Sequence, residues 1–235
     1  RFGNQDDSIL NAKVMMMERI SRRTALAALS ALLLVACGNG ETDVTATRNG
    51  DDPAKIGHVM GSADAPVTVI EYASPTCPAC KYFHETVLPE IKEKYVSTGK
   101  VRYIFREYPI RDVDVPAYAM ALCAGDDKYF DVLDDIFAHQ SGITDAARNG
   151  VLKAALAAIG ERHGINGEAA FDACMADESI RQRLKTTYDA AEKDGVDSTP
   201  TFIFDGEMTR FEGDIRSPEG FSAKLDGLLA NAAGQ

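Results

Sequence analysis

Cys77-Pro78-Ala79-Cys80 is the stretch of this 235-residue chain whose residue types and spacing point most directly to chemistry. Two thiols three positions apart on one helical turn are close enough to bridge, and the proline between them suits the first helical position, where its missing N–H is not needed. Cys77 then stands at the exposed amino end of a helix and Cys80 one turn further in. Unpaired backbone N–H groups and the helix dipole favour negative charge at Cys77, so its pKa is expected to fall from about 8.5 into the ~3.5–7.5 range of such thiols. A stabilised thiolate favours the reduced pair and makes the oxidised pair a stronger oxidant. Cys80, shielded, is expected to be the resolving thiol. A structural disulfide or half of a zinc site has the same spacing. No second C-x-x-C or H-x-x-H supplies the remaining ligands, so redox chemistry is the favoured reading, with no metal or cofactor assigned.

The flanking sequence supplies the elements that must hold the pair. Residues 66–73 and 101–108 are short β-branched and aromatic runs that read as strands. Between them Phe83, Val87, Leu88, Ile91 and Tyr95 fall on one face of a helix, giving strand, helix, strand and a parallel pair. Residues 116–195 carry helical stripes and no strand pattern: Tyr129, Val132, Leu133 and Ile136; Leu152, Ala155, Leu156 and Ile159; Ile180, Leu184, Thr187, Tyr188 and Ala191. These read as core. Gly195 is a natural helix end, Thr201 to Phe204 a strand, and Asp205-Gly206 a turn into a second short run ending near Phe211. Ser217-Pro218 caps a last helix with Phe221, Leu225, Leu228 and Leu229 on one face.

Taken together, Glu71 six residues before Cys77 in a strand, the Cys-Pro-Ala-Cys pair, and Ser198-Thr199-Pro200-Thr201-Phe202 opening a later strand resemble the thioredoxin fold. With helices inserted ahead of Thr199-Pro200, the chain resembles the DsbA-like thiol:disulfide oxidoreductases. That resemblance implies an α/β protein with a thioredoxin-fold domain over 56–113 and 197–235 and a helical insertion over 114–196. It implies a cis Pro200 facing the pair, Thr199 offering its backbone to a substrate strand, and Glu71 buried behind the cysteines to relay protons to or from Cys80. It also implies a bridge between Cys123 and Cys174, closing a loop of about 50 residues for roughly 4 kcal/mol at most; two buried free cysteines are the alternative. The sequence departs from the best-known oxidase pattern, which has histidine where Ala79 stands, so one source of thiolate stabilisation is missing. His84 could tune the pair, but a surface or core role is favoured. His58, His139 and His163 show no partner spacing.

The amino end reads as an address. Three methionines from Met15, then Arg19, Arg22 and Arg23, then an apolar run of 12 residues from Ala25 to Ala36, have the layout of a secretory signal and fall short of a membrane-spanning helix. Leu34-Val35-Ala36-Cys37 resembles a bacterial lipobox, with Cys37 as the lipidated residue. Residues 1–14 are expected to precede the true start, so 1–37 is set apart from the fold, and the polar stretch 38–55 reads as a flexible tether. A formal net charge of −11 argues against nucleic acid as a partner, since phosphate binding needs a basic footprint. The whole reads as a lipid-anchored periplasmic enzyme exchanging disulfides with exported thiol-containing polypeptides, its pair restored by a membrane redox partner. The alternatives are a reductase or isomerase of the same fold, or a chaperone holding Cu(I) between the two thiolates.

Overall fold

The structure, a computed structural model, describes residues 52–234. A five-stranded sheet has the order β1–β3–β2–β4–β5, from β1 (His58–Met60), β2 (Val67–Ala73), β3 (Val101–Glu107), β4 (Thr201–Phe204) and β5 (Glu207–Arg210). β2 and β3 run parallel and are joined by one long helix, as the strand–helix–strand pattern requires; the other pairings are antiparallel. β1 has no counterpart in the sequence reading, because three residues are too few to show a period.

The linking helix, α1 (residues 78–96), starts at Pro78 with Cys77 as its cap. It widens into π geometry at Phe83–Val87 and again at Lys92–Val96, on either side of Pro89, which has no N–H to offer the ladder. The insertion consists of α2 (Asp114–Cys123), α3 (Tyr129–Ala138), α4 (Gln140–Arg148), α5 (Leu152–Arg162), α6 (Gly167–Ala176) and α7 (Glu178–Asp194). Gly195 ends α7 in the left-handed conformation at φ +76°, where a side chain would be strained. The final helix, α8 (Pro218–Ala233), is capped by the Ser217 hydroxyl.

Strand alternation decides what faces the helices. Val67, Val69, Glu71 and Ala73 of β2 and Val101, Tyr103, Phe105 and Glu107 of β3 point to one side. Their apolar members share a single core with Phe83 and Ile91 of α1, Tyr118, Leu133, Leu156 and Phe171 of the insertion, and Phe221 of α8. The insertion therefore has no separate core. On the opposite side Ile70, Tyr72, Ile104 and Ile203 pack with Ala191 of α7 and Val196. α7 thus places Ile180 and Leu184 in the first core and Ala191 in the second. Tyr188, expected inside with them, is instead exposed and stacks on Tyr108 at 5.5 Å, because it lies at the edge of the face that Ile180, Leu184, Thr187 and Ala191 bury. The segment read as a tether overlaps the described residues at 52–55, and there it is pinned: Arg102 pairs with Asp52 at 3.0 Å and Arg106 donates to the Pro53 carbonyl at 3.0 Å.

Candidate active site

Cys77 caps α1 and Cys80 lies one turn inside it; both are buried, unbridged thiols. The Cys80 N–H points at Cys77 Sγ, 3.4 Å away, the arrangement a thiolate at a helix start needs. The Cys77 thiol lies 3.2 Å from the Thr199 carbonyl oxygen. Its pKa is lowered to about 6, chiefly by the hydrogen bond from the Cys80 thiol; the Thr199 side chain and the backbone N–H groups of Cys80 and Ala79 add to this against the cost of burial. The missing histidine at position 79 is thus made good by hydrogen bonds. Cys80 moves the other way: burial, then the neighbouring Cys77 and Glu71, push its thiol well above the ordinary range. The two sulfurs differ in role because they differ in environment.

The insertion helps to shape this turn. Gln140, at the start of α4, donates to the carbonyls of Pro75 at 2.7 Å and Cys77 at 2.9 Å. Lys81 of α1 reaches the carbonyls of Phe137 and Ala138 at the end of α3, at 2.9 and 3.1 Å, satisfying acceptors a helix end leaves open. Arg111 donates to the Thr76 carbonyl at 2.9 Å. Beneath the pair, the Ser74 N–H points at Cys80 Sγ at 3.5 Å while the Ser74 hydroxyl donates to Asp114 at 2.8 Å, and Asp114 is fully buried.

Glu71 lies on the sheet face beneath α1 and is completely buried. The Tyr103 hydroxyl donates to its Oε2, and His84 Nε2 lies 3.0 Å from the same oxygen. His84, for which a surface or core role is favoured over tuning the pair, is buried and belongs to the group behind Cys80. The signal was present: Cys80 and His84 are four apart on one helix and share a face, which is also the face that Glu71 reaches from the strand. His58, read as having no partner, is likewise buried, 3.0 Å from Glu107 and stacked on Tyr129. Gln140, Asp114 and Ser74 carried no signal of this kind, because their partners are mostly backbone groups or lie far off in sequence.

The Thr199–Pro200 bond is cis and Pro200 is buried; the Thr199 carbonyl meets Cys77, and Glu71 lies near enough to Cys80 to help raise its pKa. Cys123 and Cys174 are bonded, with Cα atoms 5.7 Å apart, joining α2 to α6. Cys37 lies outside the described residues. Among the described residues, no group of three or more His, Cys, Asp or Glu side chains could hold a metal ion, and no helix is long and apolar enough to cross a membrane.

The profile of the family described as Thioredoxin matches residues 54–226. Over 152 residues the chain is 33% identical to a Rickettsia bellii protein named "Putative protein-disulfide oxidoreductase", covering 64% of this chain and 58% of that protein. The chain spans a little over half the length of the curated relatives it matches there. Among solved structures, Wolbachia pipientis alpha-DsbA1 superposes with a TM-score of 0.58 at 26% identity, over 74% of this chain and 92% of that one. Oxidised BdbD from Bacillus subtilis superposes with a TM-score of 0.63 at 20% identity, over 73% and 92%, a likeness of fold.

Proposed function

The chain belongs to the thioredoxin family, and from that premise we propose that it is a DsbA-like enzyme exchanging disulfides with exported polypeptides through Cys77 and Cys80. The observation that carries this is the placement of the sulfurs: Cys77 caps the helix with the Cys80 N–H 3.4 Å from its Sγ, while Cys80 is completely buried one turn inside, which draws the first pKa down and the second up. A substrate thiolate attacks Cys77 Sγ of the oxidised pair; the S–S electron pair leaves on Cys80, which takes up a proton. A second substrate thiolate then attacks the substrate sulfur of the mixed disulfide and expels Cys77 as a thiolate. The substrate has lost two electrons and the pair has gained them. Glu71 serves as the group exchanging a proton with Cys80.

Thr199 and Pro200 form the docking edge, where an extended substrate strand binds through backbone hydrogen bonds, so little sequence is read. Cys37 carries a lipid that tethers the enzyme to a membrane facing the bacterial periplasm, where a membrane redox partner restores the pair. The direction of net transfer follows from the reduction potential of the pair against glutathione. An oxidase lies above about −180 mV, and a value near −270 mV assigns the chain to the reductases instead. Cys77→Ser abolishes exchange with a reduced peptide; a variant of undiminished activity would overturn the reading.

A further inference from the structure

Glu71 has no exposed surface, so a proton it trades with Cys80 has to be exchanged with water through another group. His84 stands where such a group is needed. Its Nε2 lies 3.0 Å from Glu71 Oε2 and its Nδ1 lies 3.7 Å from Oδ1 of Asp134 on α3. The His84 side chain is 1% exposed and the Asp134 side chain 47%, so the two carboxylates lie on the inner and outer sides of the ring. We propose that His84, with Asp134 as its outlet, conducts protons between the buried Cys80–Glu71 pair and water, which makes His84 a further residue of the exchange reaction proposed above and rests on that reading.

A core histidine kept only for packing does not need this geometry. Phe137 lies against the ring at 4.2 Å and Phe105 meets it edge-on at 5.6 Å, surroundings that an apolar ring would suit without the cost of burying two polar nitrogens. The charged and titratable groups around it are few: Glu71 from β2, Tyr103 from β3 through Glu71, Asp134 from α3, and, from α1 itself, Cys80 and the Lys92 ammonium that pairs with Asp134 at 3.2 Å. Burial opposes charge on His84, yet the two carboxylates outweigh it and hold the ring above the ordinary imidazole pKa. An imidazolium between two carboxylates is the midpoint of a relay. It holds a proton on each nitrogen, so it can release the one on Nδ1 when the Glu71 charge is neutralised and regain it when that charge returns.

In the resolving direction the atoms balance as follows. Cys80 attacks Cys77 Sγ of a mixed disulfide, the Cys77–Cys80 bond forms, and the substrate sulfur leaves with the electron pair. The Cys80 proton passes to the unpartnered oxygen of Glu71, and the imidazolium, whose neighbouring negative charge is thereby neutralised, releases its Nδ1 proton to water beside Asp134, 3.7 Å away and beyond direct hydrogen-bond reach. When the pair is opened by a substrate thiolate, each transfer runs in reverse and protonates the departing Cys80.

The test is a single turnover of reduced full-length protein with oxidised glutathione from pH 5.5 to 9, which separates attack by Cys77 from closure by Cys80. His84→Phe keeps the ring packing and removes both nitrogens. We expect closure to slow at least about tenfold at pH 6, less than the ~10²–10⁴-fold of a group that touches the reacting atoms, because His84 acts through Glu71. The deficit should narrow toward pH 9 as hydroxide takes the proton, while the attack phase stays as in the wild type. Asp134→Asn, at a partly exposed position, should slow closure alone by a smaller factor, and it keeps the test available should the Phe variant fold poorly. Closure at the wild-type rate and pH profile in either folded variant overturns the proposal, as does an equal slowing of both phases, which marks a structural role. A wild-type protein that forms no Cys77–Cys80 disulfide would instead refute the oxidoreductase reading, and the conduit with it.

Discussion

Cys77 Sγ lies 3.2 Å from the carbonyl oxygen of Thr199, so two residues 122 positions apart form one continuous edge of the site. The nucleophile and the strand proposed to receive substrate are thus held together before any substrate arrives. The Thr199 side chain also helps to hold the Cys77 pKa down. Thr199→Val is therefore expected to raise that pKa from about 6 toward the ordinary thiol value and to slow alkylation at pH 6. The pH dependence of thiolate absorbance in the reduced variant checks this; an unchanged midpoint would remove Thr199 from the account.

Gln140→Ala removes the side-chain donor to the Pro75 carbonyl and leaves the Cys77 carbonyl with the Lys81 N–H. Orphaning one buried carbonyl costs about 1–3 kcal/mol. In a domain of this size that corresponds to a melting temperature lower by roughly 2–4 °C per kcal/mol. Because the loss falls on the active-site turn, the rate of Cys77 alkylation should change as well. A shift in melting temperature alone would mean that the insertion braces the fold but not the turn.

The Cys123–Cys174 bond spans 51 positions and ties α2 to α6, away from the pair. Replacing both by alanine should cost about 2–4 kcal/mol in denaturant unfolding. Cys77 reactivity should stay at the wild-type level, since neither residue reaches the site. A large loss of reactivity in a folded double variant would show that the insertion's internal bracing sets the geometry of the pair.

The lowered pKa of Cys77 also makes stability depend on pH. A group whose folded pKa is depressed contributes stability that is present above its unfolded pKa, about 8.5, and is lost as pH falls through the folded value, about 6. Cys80, raised when folded, acts against stability only above its unfolded pKa. The reduced protein should therefore gain on the oxidised protein as pH rises from 6 to 8.5. Groups that titrate alike in both forms cancel from the difference to first order. Chemical denaturation of both forms across that window checks the sign, and a flat or falling difference contradicts it.

Much of this site could be read before folding was considered. Pro78 and the two cysteines mark a helix start by local chemistry alone, and Ser217-Pro218 and Gly195 did the same for other helix ends. Glu71, Thr199 and Pro200 became legible only through their order along the chain. The bracing from Gln140, Arg111 and Asp114 was not legible, because it joins residues far apart in sequence, mostly through backbone carbonyls, and leaves no periodicity. β1 was too short to show alternation, and Tyr188 sits at the edge of the buried face of α7, where a helical stripe alone does not decide burial.

Cys77 should ionise far below an ordinary thiol, which the pH dependence of iodoacetamide trapping in the reduced protein measures, with the alkylated residue identified by mass spectrometry. The expected midpoint is about 6, with Cys80 unreactive throughout. At pH 7 about nine in ten molecules would then carry the thiolate. A midpoint near 8.5, or equal trapping of both cysteines, would contradict it.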